Sequence, residues 1–516
     1  MSSVLDDVLE GFEPSPQMVS VMAGTKPAAV LGIDIGTSGV RASLFDDRGK
    51  EIDGAAVRLQ RSTLDDVALI NADEGLELVW QTIDALLAKT ELLTTAINVI
   101  SISCFWHSLV GIDADARVTT PVFTWVNKQA NSAAAELRSS LDERKTHART
   151  GCRFHPSYWP AKLVWLRNEQ PEAFSATSHW LSFGELLVLR LFGETAASVS
   201  MASGTGLFNQ HSCDWDPDLI KSLGLDRNTL PEIADSNTNF HGLSEDFAER
   251  WPQLAEARVF PPIGDGAANA IGSGCITTEK IALMVGTSGA MRVLYKGEPP
   301  HELPPELWCY RADKSRVVVG GALSDGGNLY RWLRESLLPN DDTESIEESL
   351  GLLQPDAHGL TVLPFWSGER STGWSLNARG VISGLSHNTQ PVEILQAGME
   401  AVAYRFALIV RALAPFAPGA AIVASGTALR FSGPWTQMIA DVLGVPISLS
   451  DVTEASTRGA ALLALEAAGK IQNIETSNTA GELVGTVFAP DLTRHARYQA
   501  GLERQQRFYK QVIGEA

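Results

Sequence analysis

Positive charge is scarce in this chain. Its 41 lysines and arginines face 61 aspartates and glutamates, a formal net charge of −20. That balance argues against nucleic acid and against an anionic membrane as partners, because both are held by clustered cations. It also requires any anionic substrate to be held by local cations and backbone N–H groups, against the overall field. Cysteine is scarce too: Cys104, Cys152, Cys213, Cys275 and Cys309 are scattered over 516 residues with no CxxC spacing. This excludes a disulfide scaffold and fits buried thiols in a reducing, cytoplasmic setting. No apolar run reaches the ~18 residues that a membrane span needs. The opening segment, MSSVLDDVLEGFEPSPQ, is acidic and has no basic start, so it is not expected to be a signal peptide. Residues 1–27 read as a flexible N-terminal extension.

What is present is a soluble composition, 44% hydrophobic, on a chain long enough for two domains of roughly 250 residues each. The most informative stretch is VLGIDIGTSGVRASLF, residues 30–45. A small, apolar, partly β-branched run predicts a buried strand, interrupted by Asp34. Gly36, Thr37, Ser38 and Gly39 predict a tight turn, and Val40 to Phe45 a second strand. Glycines let a row of backbone N–H groups approach an anion, and the two hydroxyls add donors. A carboxylate does not touch a phosphate directly, but it can hold a metal ion that does. Acid, turn and base (Arg41) thus fall within one short hairpin. An ordinary glycine hairpin is the plainer alternative.

A second copy strengthens the first. Residues 280–295 read KIALMVGTSGAMRVLY, so Gly286, Thr287, Ser288 and Gly289 repeat Gly36 to Gly39 and Arg292 follows. The copies lie 250 positions apart, which points to two similar domains of an α/β protein. Two such turns, one from each domain, would clamp a polyphosphate. Met284 stands where the first copy has Asp34, so only one side supplies the acid.

Between and beyond the hairpins, helical spacing predicts helices over 74–90, 185–192, 391–413, 434–443 and 453–468, and a β-rich run covers 97–103. That run leads into Trp106 and His107, a place where α/β folds put ligand groups. Arg153, His155 and Lys162 crowd around two prolines and are expected to be local cations for an anion, or else a solvated loop. Ser200 to Asn209 reads as a small-residue loop. Asp265 sits between Gly264 and Gly266 ahead of a small-residue helix, with room for a ligand or as a plain N-cap. Glu369 and Arg370 read as an ion pair pinning a loop. Ser425, Gly426 and Thr427 follow a short strand and form a surface for a nucleotide base.

With DIGTSGVR, WHS, GDGAANAIGSG, GTSGA, GERSTGW and SGTAL in this order, the chain resembles the FGGY family of carbohydrate kinases over about residues 28–512. The resemblance implies two actin/hexokinase-like (ribonuclease H-like) domains with a cleft between them, at 28–275 (sugar and phosphate side) and 276–516 (nucleotide side). It implies ATP and Mg2+ as cofactors, Asp265 as general base, and Asp34 with Asp265 at the metal. It places Thr37, Ser38 and Arg41, then Gly286, Thr287 and Ser288, on the phosphates, and Gly426 and Thr427 at the adenine. Trp106 and His107 match the family's sugar-contacting pair. Four positions depart from the family pattern: Asn127 and Gln129 after Trp125, Ser375, and Thr427. Within the family, TGCRFHPSYWPAKLVWL, AASVSMASGTGLFN and GTSGAMRV look most like the gluconate kinases, so Arg153, His155 or Lys162 is expected to receive a sugar carboxylate. The rivals are a D-xylulose, ribulose or other polyol kinase, a non-catalytic sugar or nucleotide sensor, and an actin-like polymer or chaperone ATPase. A homodimer is an assembly the sequence leaves open.

Overall fold

The computed structural model describes residues 28–60, 68–89, 96–476 and 484–514; the expected extension at 1–27 lies outside them. Two mixed sheets dominate, and they repeat one topology. In the first, Ala28–Ile35 pairs antiparallel with Gly39–Phe45, which pairs antiparallel with Glu51–Gln60. On its other side Ala28–Ile35 runs parallel to Ala96–Cys104, which runs parallel to Arg258–Val259 and, further along, to Ile263–Gly264. In the second, Lys280–Val285, Gly289–Lys296 and Arg316–Leu323 form the antiparallel meander. Ala421–Ser425 and Ile447–Ser450 add the parallel strands. Trp308–Arg311 and Val484–Phe488 extend this sheet at its two edges. The duplicated hairpins are therefore the first two strands of two related sheets.

Parallel register decides where the acids lie. Asp34 is opposite Ser103, and Ser103 is opposite Ile263, two residues before Asp265. The C-terminal ends of three parallel strands thus bring Asp34 and Asp265 to one rim, where open α/β sheets carry their ligands.

The halves are joined by two helices that cross closely. The Asp265–Gly272 helix meets the Ala455–Ala467 helix, which also packs on the strands Ala28–Ile35 and Ala96–Cys104. Glycine is required at the crossing. A Cβ on Gly272 would stand 1.8 Å from the Ala455 carbonyl oxygen, and one on Gly459 would stand 1.8 Å from that of Ala268. The Gly- and Ala-rich face of residues 453–468 is used for this approach, and Ala460, Ala461 and Leu462 join the core of the first sheet.

Ser200 to Asn209 is not simply a loop. It begins inside a short helix, Val199–Ser203, whose N-cap Ser198 accepts from the Met201 N–H. A hydroxyl cap satisfies a donor that a loop reading leaves to solvent. Among the described residues no helix is long and apolar enough to cross a membrane.

Candidate active site

Asp34 ends the first strand and is buried. Ser103 Oγ donates to its Oδ1 at 2.7 Å, and Arg41 Nη1 donates to Oδ2 at 3.2 Å. Burial outweighs both partners and raises the carboxyl above its ordinary value. Arg41 also lies 3.5 Å from Glu454 Oε2, so it reaches from the first sheet to the loop that opens the crossing helix.

The two hairpins close differently despite their shared tetrapeptide. Ile35 pairs with Val40 in the first, whereas Val285 pairs with Gly289 in the second, a loop one residue shorter. Arg292 lies one position later in its copy than Arg41 does in its own. The two offsets cancel. Arg41 is opposite Asp34, and Arg292 is two residues from Ala290, the partner of Met284, so both guanidiniums leave the face that carries 34 or 284.

Arg292 is where the halves meet chemically. It is buried, and its Nη1 donates to the Gly266 carbonyl at 2.6 Å, beside Asp265. Asp265 is the first residue of its helix rather than the N-cap, which is Gly264. Its Oδ1 accepts from the Gly266 N–H at 2.7 Å. Burial and then the charge of Asp34 push its pKa up to about 6, with Arg292 opposing. Burial in turn lowers Arg292 to about 10. The glycines around Asp265 do not make room for a ligand as expected. They admit Trp106: a Cβ on Gly264 would meet the indole at 1.9 Å. The Trp106 Nε1 donates to the Ser200 carbonyl at 2.9 Å, which fixes the ring.

Asp265 faces a cavity walled by aromatic rings. Trp308 and Tyr310 stack at 4.2 Å, and the hydroxyls of Tyr158 and Tyr310 are 2.6 Å apart. Arg370 enters the same cavity, 4.4 Å over the Trp125 ring, and donates to the Leu323 carbonyl at 2.8 Å. A carboxylate, two guanidiniums and flat apolar walls suit a polyhydroxylated molecule with polar edges and C–H faces.

His107 lines the cavity in a left-handed conformation, φ 71°. Its Nδ1 lies 2.5 Å from the Gly204 carbonyl, which puts the proton on that nitrogen, and burial lowers its pKa to about 3. It therefore serves as a neutral group. The trio of expected cations is not brought together. Arg153 pairs with Glu143 at 2.7 Å and donates to the Pro305 carbonyl. Lys162 is buried in its helix and donates to the His107 carbonyl at 2.6 Å. His155 binds Ser157 and the Glu369 carbonyl, and burial and neighbouring arginines hold it well below the usual histidine range. The cations of the cavity are Arg292, which the repeat marked only as the base after the second turn, and Arg370, which was read as the partner of Glu369. Nor do Glu369 and Arg370 pair with each other. Glu369 takes Arg405 and the Tyr509 hydroxyl, and so releases Arg370 into the site.

The second Gly-Thr-Ser turn divides two spaces. Ser288 and Gly289 line the acid cavity, while Gly286 and Thr287 line a groove of about 660 Å³ with Thr427, Tyr330, Phe431 and Trp435. Tyr330 stacks on Trp435 at 5.9 Å. Gly426 holds φ 99° and crosses Val285 so closely that a Cβ would meet its carbonyl oxygen at 2.3 Å. Thr37, Ser38 and Arg41 line neither space.

This geometry has relatives. The N-terminal domain of the FGGY family of carbohydrate kinases matches residues 29–272, and its C-terminal domain matches 281–468. The chain belongs to the FGGY family of carbohydrate kinases. It is 26% identical to a gluconokinase of Bacillus subtilis, across 89% of this chain and 91% of that one. It is 26% identical to a xylulose kinase of Escherichia coli, across 94% and 99%. A crystal structure of gluconate kinase from Lactobacillus acidophilus superposes with a TM-score of 0.85 at 27% identity, over 95% of this chain and 99% of that one. The two sheets are thus the two domains of the actin/hexokinase-like FGGY fold, and this kinase takes ATP as its phosphoryl donor.

Proposed function

We propose that this FGGY kinase transfers the γ-phosphoryl group of ATP to the terminal hydroxyl of D-gluconate, giving 6-phosphogluconate. The observation that carries the reading is Asp265 at the rim of the aromatic cavity, with its pKa near 6. At neutral pH it is ionised and basic enough to take the hydroxyl proton as the oxygen attacks. The new bond joins that oxygen to the γ-phosphorus, the bond to the β-phosphate oxygen breaks, and ADP leaves. Such a transfer needs positioning and charge neutralisation more than covalent help. Trp106 and His107 orient the sugar, and Arg292 and Arg370 supply positive charge beside the reacting hydroxyl and the transferred group.

In this reading Gly286, Thr287 and Ser288 hold the triphosphate between groove and cavity, Thr37, Ser38 and Arg41 approach it from the first domain, and Gly426 and Thr427 lie beside the adenine. Asp34 raises the pKa of Asp265 from the same sheet rim, and the two carboxylates are a donor set that suits a divalent cation. Mg2+ there would neutralise charge on the transferring group. In this reading 276–516 carries the nucleotide, the sugar cavity takes its walls from both 28–275 and 276–516, and a cytoplasmic location follows from the need for ATP.

A neutral ketose such as D-xylulose is the second reading, favoured by the full-length match to the xylulose kinase of Escherichia coli. A coupled assay of ADP release over D-gluconate, D-xylulose, D-ribulose and glycerol, with ATP and magnesium, separates the two. The gluconate reading expects the highest kcat/KM on D-gluconate. A preference for any neutral member of the panel overturns it.

A further inference from the structure

Beside the acid cavity, across the ring of Trp125, lies a second, narrow cleft between the two halves. From the first half it is lined by Asn127, Lys128 and Asn131, and from the second by Ser324, Ser367 and Arg379. Among the described residues the Lys128 side chain makes no hydrogen bond or ion pair, and the Arg379 side chain donates only to the carbonyl of its neighbour Ala378 at 2.8 Å. Both residues keep part of their surface open to solvent.

Among the described residues no acid forms an ion pair with either, although the charge of Asp325 favours the Lys128 ammonium. Asn127 and Gln129, on either side of Lys128, carry no charge and bind each other. The Asp325 carboxylate accepts from the Ser367 N–H and from Asn328. That of Glu369 is taken by Arg405, Tyr509 and two backbone N–H groups. Burial, and then the charge of Arg379, depress the Lys128 ammonium, with Asp325 opposing. Like charges set face to face across two halves do not stabilise a fold. In a chain of net charge −20 such a pair is a ready place for an anion, and the uncharged amides and hydroxyls around it add donors for hydroxyls.

We propose that this cleft receives the carboxylate of a sugar acid whose reacting hydroxyl lies at Asp265, with Lys128 and Arg379 as the residues that select acids over neutral polyols. The inference rests on the sugar-acid reading above and names a determinant that reading does not contain. Because the two cations belong to different halves, one carboxylate between them also draws the halves together.

The test is steady-state kinetics of Lys128→Met, Arg379→Met and the double variant on D-gluconate, D-galactonate and D-xylulose, with KM for ATP as the control for folding. Each single variant is expected to raise KM for the acid about tenfold, the loss of one charged hydrogen bond, with KM for D-xylulose and ATP unchanged. If the wild type uses D-gluconate and the variants leave its KM unaltered, the cleft assignment is overturned while the gluconate reading stands. If D-galactonate is the better substrate and its KM rises in the variants, the cleft assignment stands and gluconate falls. If no acid is phosphorylated, both fall. If inorganic phosphate alters KM for D-xylulose in the wild type but not in the double variant, the cleft is an effector site and the carboxylate assignment is overturned.

Discussion

The Tyr509 hydroxyl donates to Glu369 Oε2 at 2.7 Å, tying the last helix of the chain to the loop that carries Arg370 and Trp374 into the sugar cavity. Glu369 is buried and shared with Arg405 and the N–H groups of Gly373 and Ser375. The loop is thus shaped around one carboxylate. Removing the Tyr509 hydroxyl deletes one donor and leaves the ring in place. Tyr509→Phe is expected to cost about 1 kcal/mol of stability and to raise KM for the sugar several-fold, while KM for ATP holds. Thermal unfolding with both substrates varied checks it. An unchanged sugar KM would show that the loop keeps its shape without the tyrosine.

Asp265→Asn keeps the shape of the side chain and removes the base. A general base contributes about 10²–10⁴-fold, so kcat is expected to fall about 10³-fold while ATP binding, measured by calorimetry, is retained. Near-normal turnover would remove Asp265 from its role.

The same residue makes a prediction about pH and stability. Its folded pKa, about 6, lies above the unfolded value of 3.8. The folded state therefore binds the proton more tightly. That advantage is present below about pH 4, is lost as pH rises through about 6, and leaves a cost above it. In activity the limb has the opposite sense: kcat/KM for the sugar should fall tenfold per unit below about pH 6, because the base is then protonated. In metal-free buffer Asp265→Asn should be more stable than the wild type at pH 8, by roughly 3 kcal/mol, with the gap closing at pH 4. A gap that does not vary with pH contradicts the raised pKa.

What could be read from the chain and what could not separates along physical lines. The hairpins at Asp34 and Met284 were legible because glycine and hydroxyl residues recur at fixed spacing between apolar runs, and such turns are local. Pro391–Leu413 matches its predicted span because its apolar period is local as well. Side-chain direction was not local. Arg153, His155 and Lys162 lie within ten residues, yet Glu143, Glu369 and the His107 carbonyl draw them three different ways. Arg292 and Arg370 are neighbours of Asp265 only through the second sheet and the pairing of Glu369 with Arg405, 36 residues on. The glycines beside Asp265 suggested open space, but the ring that fills it comes from Trp106. In each case the deciding partner is remote in sequence.

Gly459 offers a test of how the helix crossing governs the site. Alanine is the better helix former by about 1 kcal/mol, so an isolated helix would gain from Gly459→Ala. Here the new methyl would stand 1.8 Å from the Ala268 carbonyl oxygen, which is backbone and has no rotamer to give. Overpacking of this kind typically costs 1–3 kcal/mol, so the steric term is expected to win and the melting temperature to fall. The strain is delivered to the helix that begins at Asp265, three residues before the carbonyl that is struck. Displacing that helix should misplace the base relative to the hydroxyl, lowering kcat more than it raises KM for either substrate. The kinetic split matters more than the stability loss. A variant that melts earlier but turns over normally would show that the crossing only holds the domains together, whereas a selective fall in kcat would make it part of how the base is aimed.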